Sequence, residues 1–560
     1  MGSPLFERKP LKLLLQEMEH GEGRLKRVLG PWQLTALGIG AIIGAGIFVA
    51  TGAAAHDLAG PALMMSYVVA GITCVFAALC YAEFASMAPV AGSAYTYAYA
   101  TLGEMFAWII GWDLVLEYAV GSATVANGWS SYFQSVLAKF GIALPVLLSS
   151  GPWKYDEGFL LPNSVAEYQG AQVTQKALKA EEGRPEGIYW VLAADHATLG
   201  AKGTPVGLSG DPAVESQLQK QQRARFNLPA VLIVALVTFI LVKGIQESAR
   251  FNAMMVFIKV AAVLFVILVG AFFINPDNWK PFAPYGWSGV SFFGIHLAGQ
   301  TNAKGEPVGM LAGAAIIFFA YIGFDAVSTQ AEEARRPKKD VPFGIIASLL
   351  VCTVLYIAVV AVLTGMVTYD QLDVNAPVSD AFAKAGLPWA EFIIAAAGVA
   401  GITSVLLVML LSAPRVFLAM ARDGLVPKRF FASVHPRFQT PWKSTIAIGA
   451  CVALAAGLLP IEALLHLTNI GTLLAFVIVC SAVLVMRRTN PEVERPFRCP
   501  MVPLVPALGI LCCLVLMFSL PPANWWRLAV WLALGLGIYF LYGRHHSVMA
   551  RMRREGRTPG

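Results

Sequence analysis

The sequence has few charged residues: Asp, Glu, Lys and Arg make up only 13% of its 560 residues, whereas 57% are hydrophobic. Soluble domains average about a quarter charged residues, so the composition excludes a soluble globular protein and predicts an integral membrane protein. The first 30 residues are polar and charged, without the apolar core of a cleavable signal peptide. The formal net charge of +7 suits basic loops beside a membrane and requires no nucleic-acid partner.

The sequence also lacks the usual signatures of metal and catalytic sites. Its eight cysteines lie mostly in apolar segments, and no CxxC pair or Cys/His cluster occurs, so we expect neither a metal nor a cofactor. No HExxH, GxSxG or paired Asp-rich motif is found, which argues against an enzyme.

Long hydrophobic runs, by contrast, are abundant. A run of about 20 apolar residues predicts a transmembrane helix, and we expect an all-α membrane protein with twelve such helices. The predicted spans are residues 32–55, 60–87, 105–127, 228–247, 254–274, 308–331, 343–367, 389–414, 442–460, 462–486, 502–520 and 525–543.

Two of these spans are predicted to be broken. The first contains Thr35–Gly52, whose several glycines include Gly44 and Gly46; each interior glycine weakens a helix by about 1 kcal/mol relative to alanine. The sixth contains Ala312–Gln330, which is interrupted around Gly323. Interrupted spans in corresponding positions of two halves indicate a transporter substrate site near the bilayer midplane. Close helix packing through small residues is the alternative for each span.

The second break comes five spans after the first, which predicts two inverted repeats of five helices, because an odd number of spans reverses the chain. We therefore expect a cytoplasmic N-terminal segment (1–31), a first repeat of helices 1–5 (32–274) with an outer insertion (140–227), a second repeat of helices 6–10 (308–486), helices 11 and 12 (502–543) and a basic cytoplasmic tail (544–560).

Lys and Arg concentrate in alternate short loops, as in 335–339, so both termini are expected on the cytoplasmic side. The insertion at 140–227 is polar and contains a helical-looking run from Val173 to Glu182; a compact cap and a mobile insertion both stay open. Phe282–His296 and Pro377–Ala385 are expected to form short helices over the outer entrance.

Five motifs carry a resemblance to a known family. They are GIGAIIGAGIF (Gly38–Phe48), PVAGSAYTYAY (Pro89–Tyr99), GWDLVLEY (Gly111–Tyr118), FFAYIGFDAVSTQAEE (Phe318–Glu333) and PRVFLAMARDGLVP (Pro414–Pro427). Together they resemble the amino acid–polyamine–organocation superfamily, above all its cationic amino acid transporter branch and bacterial relatives. The resemblance covers spans one to ten but not residues 140–227. It implies a leucine-transporter-like fold and a secondary transporter of amino acids in the plasma membrane, the inner membrane of a bacterium.

An α-amino acid presents a carboxylate and an ammonium, so its site needs donors at one end and acceptors at the other. The helix half after the first break exposes free N–H groups at the positive end of its dipole. We expect the carboxylate to bind at Ile43, Gly44, Ala45 and Gly46, and the resemblance adds Ile42. The ammonium is expected on freed carbonyls of the sixth span, as in relatives: those of Phe319, Ala320 and Ile322.

Three side chains are expected around the substrate. Phe319 and Tyr321 could close over it as a gate, with aromatic packing between helices as the alternative. The resemblance aligns Met409 with a residue that faces the substrate side chain, although ordinary core packing stays open. A methionine there narrows the pocket, which favours small neutral amino acids such as alanine over arginine or lysine.

Lys259 is the sharpest single residue. A lysine within a span is costly and usually faces the bundle interior; snorkelling to the inner surface is the alternative. The resemblance implies that its ammonium replaces the sodium ion that bridges spans one and eight in sodium-coupled members of the fold. It would then reach carbonyls near Ile42 and a hydroxyl of Thr403 or Ser404. Burial favours the uncharged lysine, which argues for proton coupling and against sodium.

Glu117, in the third span, is a second buried ionisable candidate, and family members often carry it. A proton site, a gating partner and a neutral acid bonded to the backbone of span one all stay open. Glu83 and Asp325 are expected nearer the inner surface, where they would steady helix ends.

These observations predict a proton-coupled symporter of small neutral L-amino acids that works by alternating access. An exchanger or facilitator of arginine, lysine or a polyamine is the first alternative, and a membrane amino-acid sensor is a remote one. The expected partners are the amino acid, the proton and the lipid bilayer; a small accessory membrane subunit is left open.

Overall fold

The computed structural model describes most of the chain. The described residues are 7–10, 27–88, 92–156, 159–168, 171–178, 185, 187–192, 205–293, 295–302, 306–372 and 376–555. Parts of several predicted features therefore lie outside them. They include residues 89–91 of the Pro89–Tyr99 motif, 179–182 of the predicted helical run, residue 294 of the predicted helix at Phe282–His296, most of the N-terminal segment 1–31 and the last five residues of the tail.

The described chain is mostly helical. Its principal helices are α1 (Pro31–Ile42), α2 (Leu63–Met87), α3 (Ala94–Thr101), α4 (Glu104–Lys139), α5 (Leu228–Lys243), α6 (Ile245–Gly270), α7 (Met310–Ile317), α8 (Pro337–Met366), α9 (Pro377–Lys384), α10 (Pro388–Arg422), α11 (Trp442–Leu458), α12 (Ile461–Thr489), α13 (Leu504–Phe518), α14 (Pro522–Ile538) and α15 (Val548–Arg554).

Eight helical segments of the described chain are long and apolar enough to cross a membrane. One of them, Pro31–Met87, is a continuous stretch of 57 residues that contains both of the first two predicted spans. Three further apolar helices, α5, α11 and α13, are shorter. The protein is thus a multi-pass membrane protein, and the number of twelve spans stays a prediction.

The helices pack around α4 and α10, which run along each other, while α2 packs against α8. The segments that contain the two predicted breaks lie inside this bundle, because nearly all their described side chains are buried. This arrangement surrounds both breaks with protein, which irregular backbone at membrane depth requires.

The insertion at residues 140–227 contains strands, so the expectation of an all-α protein is wrong there. It contains a hairpin of β1 (Trp153–Asp156) and β2 (Phe159–Pro162) and an antiparallel sheet in the order β6-β5-β4-β3-β7. The sheet strands are β3 (Ser164–Tyr168), β4 (Ala171–Leu178), β5 (Gly187–Leu192), β6 (Pro205–Leu208) and β7 (Leu218–Arg223).

The predicted helix at Val173–Glu182 is therefore wrong over its described part. That part belongs to β4, which pairs with β3 on one side and β5 on the other. Val173 packs with Ala166 and Trp190 in a small core of the sheet.

A second sheet lies between α6 and α7 and consists of β8 (Gly289–Phe292), β9 (Ile295–Thr301) and β10 (Pro307–Val308). The expectation of a short helix at Phe282–His296 is thus wrong, because the end of that range forms the β8–β9 hairpin. The other expected short helix is present as α9.

Candidate functional site

The first break lies directly after α1. Ile43 has an extended backbone, with φ −72° and ψ 106°, and its N–H closes α1 by donating to Ile39 O at 3.0 Å. Helical turns then resume with Gly46–Ala50, and Phe48 N–H donates to Gly44 O at 3.1 Å. The first N–H groups of a resumed helix have no acceptor within it, so the backbone from Gly44 onward offers donors inside the bundle.

The second break follows α7. A short 3₁₀ turn, Phe318–Tyr321, leads to Ile322, which is extended with φ −56° and ψ 132°. Gly323 then takes φ +118°, and a Cβ there would lie 2.7 Å from Ala41 Cβ. Glycine is thus needed at 323 both for its backbone conformation and for the close approach of α1.

The two breaks lie side by side. A Cβ added at Gly46 would lie 2.2 Å from Ala320 Cα, so the two backbones are in direct contact. The hydroxyl of Tyr356 joins them as well, at 2.6 Å from Ile42 O and 3.0 Å from Ala320 O. A phenol has one proton, so it donates to one of these two carbonyls at a time.

Two carbonyls of the second break that were expected to bind the ammonium already accept different hydrogen bonds. Phe319 O accepts from Ile322 N–H at 3.2 Å within the turn, and Ala320 O is contacted by Tyr356. An ammonium arriving at Ala320 O would thus compete with the Tyr356 hydroxyl. Tyr356 was not anticipated from the sequence, because a tyrosine in an apolar helix has no distinguishing pattern.

Lys259 is completely buried in α6. Its Nζ donates to Gly40 O at 2.7 Å, to Ile43 O at 2.7 Å and to Ser404 Oγ at 2.6 Å. Three acceptors match the three donors of an ammonium. The ammonium thus lies inside the bundle, between the end of α1 and the middle of α10, and it does not reach toward a surface.

Of the two hydroxyls expected near this ammonium, only one of them contacts it in the structure. Ser404 contacts Lys259, whereas the Thr403 hydroxyl accepts from Trp129 Nε1 at 2.8 Å and donates to Val399 O at 2.7 Å. Thr403 therefore faces α4 and is corrected as a partner of the lysine. Adjacent residues of a helix point about 100° apart, so only one of the two can face α6.

Glu117 is buried in α4, one helical turn after the equally buried Asp113. Within the ranges that the structure describes, no oxygen of the Asp113 carboxylate has a hydrogen-bond partner, and the Thr472 hydroxyl of α12 lies beside the Glu117 carboxylate. The neighbouring Tyr118 hydroxyl donates to Asp325 Oδ2 at 2.5 Å, and Gly323 N–H donates to Asp325 Oδ1 at 3.2 Å. The expected bond from Glu117 to the backbone of the first span is thus not found among the described contacts.

Asp325 is fully buried beside the second break, and its position near the inner surface stays a prediction. Glu83 does steady a helix end: it accepts from Arg487 Nε at 2.8 Å and from Cys499 N–H at 2.7 Å.

The two candidate gate residues have different surroundings. Tyr321 is fixed, because its hydroxyl donates to Tyr67 O at 2.8 Å and its ring packs against that of Tyr356 at 5.5 Å. Phe319 is 4% exposed and has no aromatic partner among the described residues. Of the two, Tyr321 is held by a side-chain hydrogen bond, whereas Phe319 is held by apolar packing in the core.

Met409 lies one turn after Val405 on α10, and Val405 contacts the first break, because a Cβ at Gly44 would lie 2.2 Å from its Cγ2. On the other side, a Cβ at Gly121 of α4 would lie 3.1 Å from Met409 Sδ. Met409 is buried. It therefore lies between α4 and α10, one turn away from the first break.

Comparison with known proteins adds the following. The sequence model of the family described as "Amino acid permease" matches residues 29–538. The chain is 41% identical to the methylthioribose transporter of Bacillus subtilis over 547 residues, which cover 98% of this chain and 99% of that protein. It is 43% identical over 548 residues to the branched-chain amino acid permease BcaP of the same organism, with 98% and 99% covered. It is 34% identical over 489 residues to the vacuolar cationic amino acid transporter 4 of Arabidopsis thaliana, with 87% and 68% covered.

Proposed function

The chain belongs to the amino acid permease family, and from this premise we propose that it is a proton-coupled symporter of small neutral L-amino acids such as alanine. In this proposal it spans the plasma membrane twelve times, with five helices repeated in inverted orientation and both termini in the cytoplasm. Its relatives are permeases and transporters, not enzymes.

The contact of the two breaks carries the proposal. An α-carboxylate placed at Ile43, Gly44, Ala45 and Gly46 would meet N–H groups at the positive end of a helix. Its α-ammonium would meet the carbonyls of the second break, a few ångströms away, because Gly46 and Ala320 touch. Backbone groups of both polarities thus face one small volume, which suits a zwitterion without any charged side chain in either break.

Lys259 supplies the coupling in this proposal. Its ammonium holds Gly40 O and Ile43 O against Ser404 of α10, so a charged lysine fastens the first break to that helix. Loss of its proton would weaken these charge-assisted bonds and free α1 to move relative to α10. The proton and the substrate would then be linked, because both act on Ile43 and its neighbours.

The substrate is proposed from Met409, which narrows the space beside the breaks and favours a small side chain. The names of the relatives leave a wider choice, since one is a methylthioribose transporter and another a branched-chain amino acid permease. Competition against labelled alanine by valine, leucine, methylthioribose and arginine ranks these candidates.

The test is uptake of labelled alanine and arginine into proteoliposomes, with and without an inward proton gradient. We expect alanine uptake to follow the gradient and to fall at least about tenfold in Lys259→Ala, since removing a buried, hydrogen-bonded charge costs several kcal/mol. Lys243→Ala is the matched control, because Lys243 is exposed at the end of α5.

Two results would contradict the proposal. Arginine uptake that is indifferent to pH and to Lys259 would instead support a facilitator or exchanger of cationic amino acids. Uptake that requires sodium would contradict the role of Lys259.

A further inference from the structure

Residues 7–10 are held in the body of the protein, although they precede the first helix. Lys9 N–H donates to Tyr99 O at 3.1 Å, and Glu104 N–H donates to Glu7 O at 3.0 Å. The backbone of this segment is thereby fixed to α3 and to the first residue of α4. The Lys9 side chain points inward and is 1% exposed, whereas the neighbouring Arg8 is exposed.

The buried Lys9 ammonium pairs with Asp423, the residue that follows α10. The second oxygen of Asp423 accepts from the Tyr95 hydroxyl at 2.6 Å, so this carboxylate joins three parts of the chain: residues 7–10, α3 and the end of α10. Both charged side chains are at most 5% exposed. Removing one partner of a buried pair leaves an uncompensated charge, so the segment and α10 come apart only when water reaches both groups.

The opposite end of the chain meets the same place. Val548 N–H, at the start of α15, donates to Asp423 O at 2.8 Å, and Arg553 pairs with Glu7. Glu104 accepts from the Tyr99 hydroxyl at 2.7 Å and from the Tyr539 hydroxyl at 3.0 Å. Residues 7–10 and α15 thus form one structure, here called the inner strap, across α3, the start of α4 and the end of α10.

The strap lies on the same face of the bundle as residues 324–334, which follow the second break. Ser328 Oγ, just after that break, donates to Ser93 Oγ, which directly precedes α3, at 2.7 Å. The following residues are also held to α10, where Arg415 Nε donates to Glu333 Oε1 at 2.9 Å. On this face, therefore, α3, α4, α10 and the second broken helix are all joined.

We infer that the inner strap is a latch whose release is required before the site opens on this face. Lys9 holds the strap closed, because its buried ammonium pairs with Asp423 inside the bundle. The inference rests on the proposed function, since a latch has a role only where access alternates. It assigns residues 7–10 and α15 a part in setting the balance between closed and open states of this face.

Hydrogen–deuterium exchange of the full chain, in the absence of substrate and of any gradient, tests the latch directly. In Lys9→Ala we expect exchange about tenfold faster in α3 and in residues 324–334, because the equilibrium shifts toward the open face. Exchange in the β8–β9 hairpin, which lies between α6 and α7, should not change. Arg8→Ala removes the same charge from the adjacent exposed position and should leave every segment as in the wild type.

A second variant keeps the inference testable if Lys9→Ala folds poorly. Cysteines at both positions, Lys9→Cys with Asp423→Cys, joined by a short reducible crosslinker, should stop uptake of the labelled substrate, and reduction should restore it. Each single cysteine variant should show the same uptake with and without the reagent. These controls separate a locked latch from damage by the reagent.

Unchanged exchange in Lys9→Ala would overturn the latch, as would full uptake by the crosslinked double variant. The exchange experiment uses no substrate and no ion gradient. Its result therefore tests the latch even if the proposed substrate or coupling ion is wrong. Conversely, faster exchange together with sodium-dependent uptake would keep the latch and reject the proposed proton coupling.

Discussion

At the scale of single residues, two adjacent hydroxyls on α10 have separate roles. Ser404 receives a bond from the Lys259 ammonium, and Thr403 receives one from the Trp129 indole. A hydrogen bond to a charged group contributes roughly 1.5–3 kcal/mol and a neutral one about 0.5–1.5 kcal/mol. The two positions thus allow a comparison within one helical turn.

We predict that Ser404→Ala impairs gradient-driven uptake several-fold more than Thr403→Ala does, because only the former removes an acceptor from the ammonium. Initial rates of uptake at several pH values provide the measurement. Equal losses in the two variants would indicate that both hydroxyls merely pack.

Met409 gives a second prediction at this scale. Met409→Ala is expected to widen the space beside the first break and to let arginine compete with labelled alanine. Gly121→Ala should act in the opposite direction, because its methyl group would lie 3.1 Å from Met409 Sδ and would push that side chain aside.

Competition curves for alanine, leucine and arginine in both variants test this pair. The double variant Gly121→Ala/Met409→Ala should recover the leucine competition that Gly121→Ala loses. If Met409→Ala leaves the competition order unchanged, Met409 is a core residue and does not select the substrate.

The sequence allowed Lys259 to be singled out, because one lysine in a long apolar run is costly unless it has partners. Its partner Ser404 was one of two hydroxyls that stayed open, since the rotation of α10 was not fixed by the sequence. Tyr356 was missed because its hydroxyl meets carbonyls that are free only where helices break. The roles of Glu117 and Met409 remain predictions.

At the scale of the elements, the second break depends on a glycine. Gly323 combines a φ of +118° with a close approach to Ala41, and a side chain there meets both strain and collision. We predict that Gly323→Ala lowers the stability by about 1–3 kcal/mol and abolishes uptake, measured by thermal unfolding in detergent and by transport.

Gly537→Ala is the matched control for this prediction. Gly537 lies in α14, and nothing comes within 4 Å of an added Cβ there, so alanine should stabilise that helix by up to about 1 kcal/mol. An active, fully stable Gly323→Ala protein would show that the break tolerates ordinary backbone geometry.

The breaks were predictable from glycine positions, whereas the strands of the 140–227 insertion and of the segment between α6 and α7 were not. The described part of β4, AQVTQKAL, contains Ala, Gln, Lys and Leu, which favour helices. It forms a strand because β3 and β5 pair with it on both sides, and such tertiary pairing overrides weak local preference. Likewise, the aromatic residues near 292 pack as a hairpin against α13 and α14, for example Phe292 against Phe518 and Trp525.

At the scale of the whole molecule, the insertion at residues 140–227 leaves the helical body and returns to it at neighbouring points. Arg225 N–H and Phe226 N–H both donate to Leu147 O, at 3.1 and 3.2 Å, so the chain returns to the point from which it departed. The five-stranded sheet also has a small core of its own. An insertion whose two ends lie close together can be shortened with little effect on the rest of the protein.

We predict that replacing residues 152–222 by a short Gly-Ser linker leaves the initial rate of alanine uptake within about twofold of the wild type. Circular dichroism should show loss of strand signal with the helical signal preserved. A strong loss of uptake without loss of folding would instead assign the sheet a part in transport.

The Lys259 ammonium has a consequence for the conditions under which the protein works. A cation tethered to α6 is present at a fixed ratio of one per molecule, whatever the salinity outside, so it cannot be diluted away as a dissolved ion can. In the proposed proton-coupled cycle, only the proton of this ammonium is exchanged. That proposal therefore predicts substrate uptake that responds to acidity and is indifferent to the sodium concentration outside.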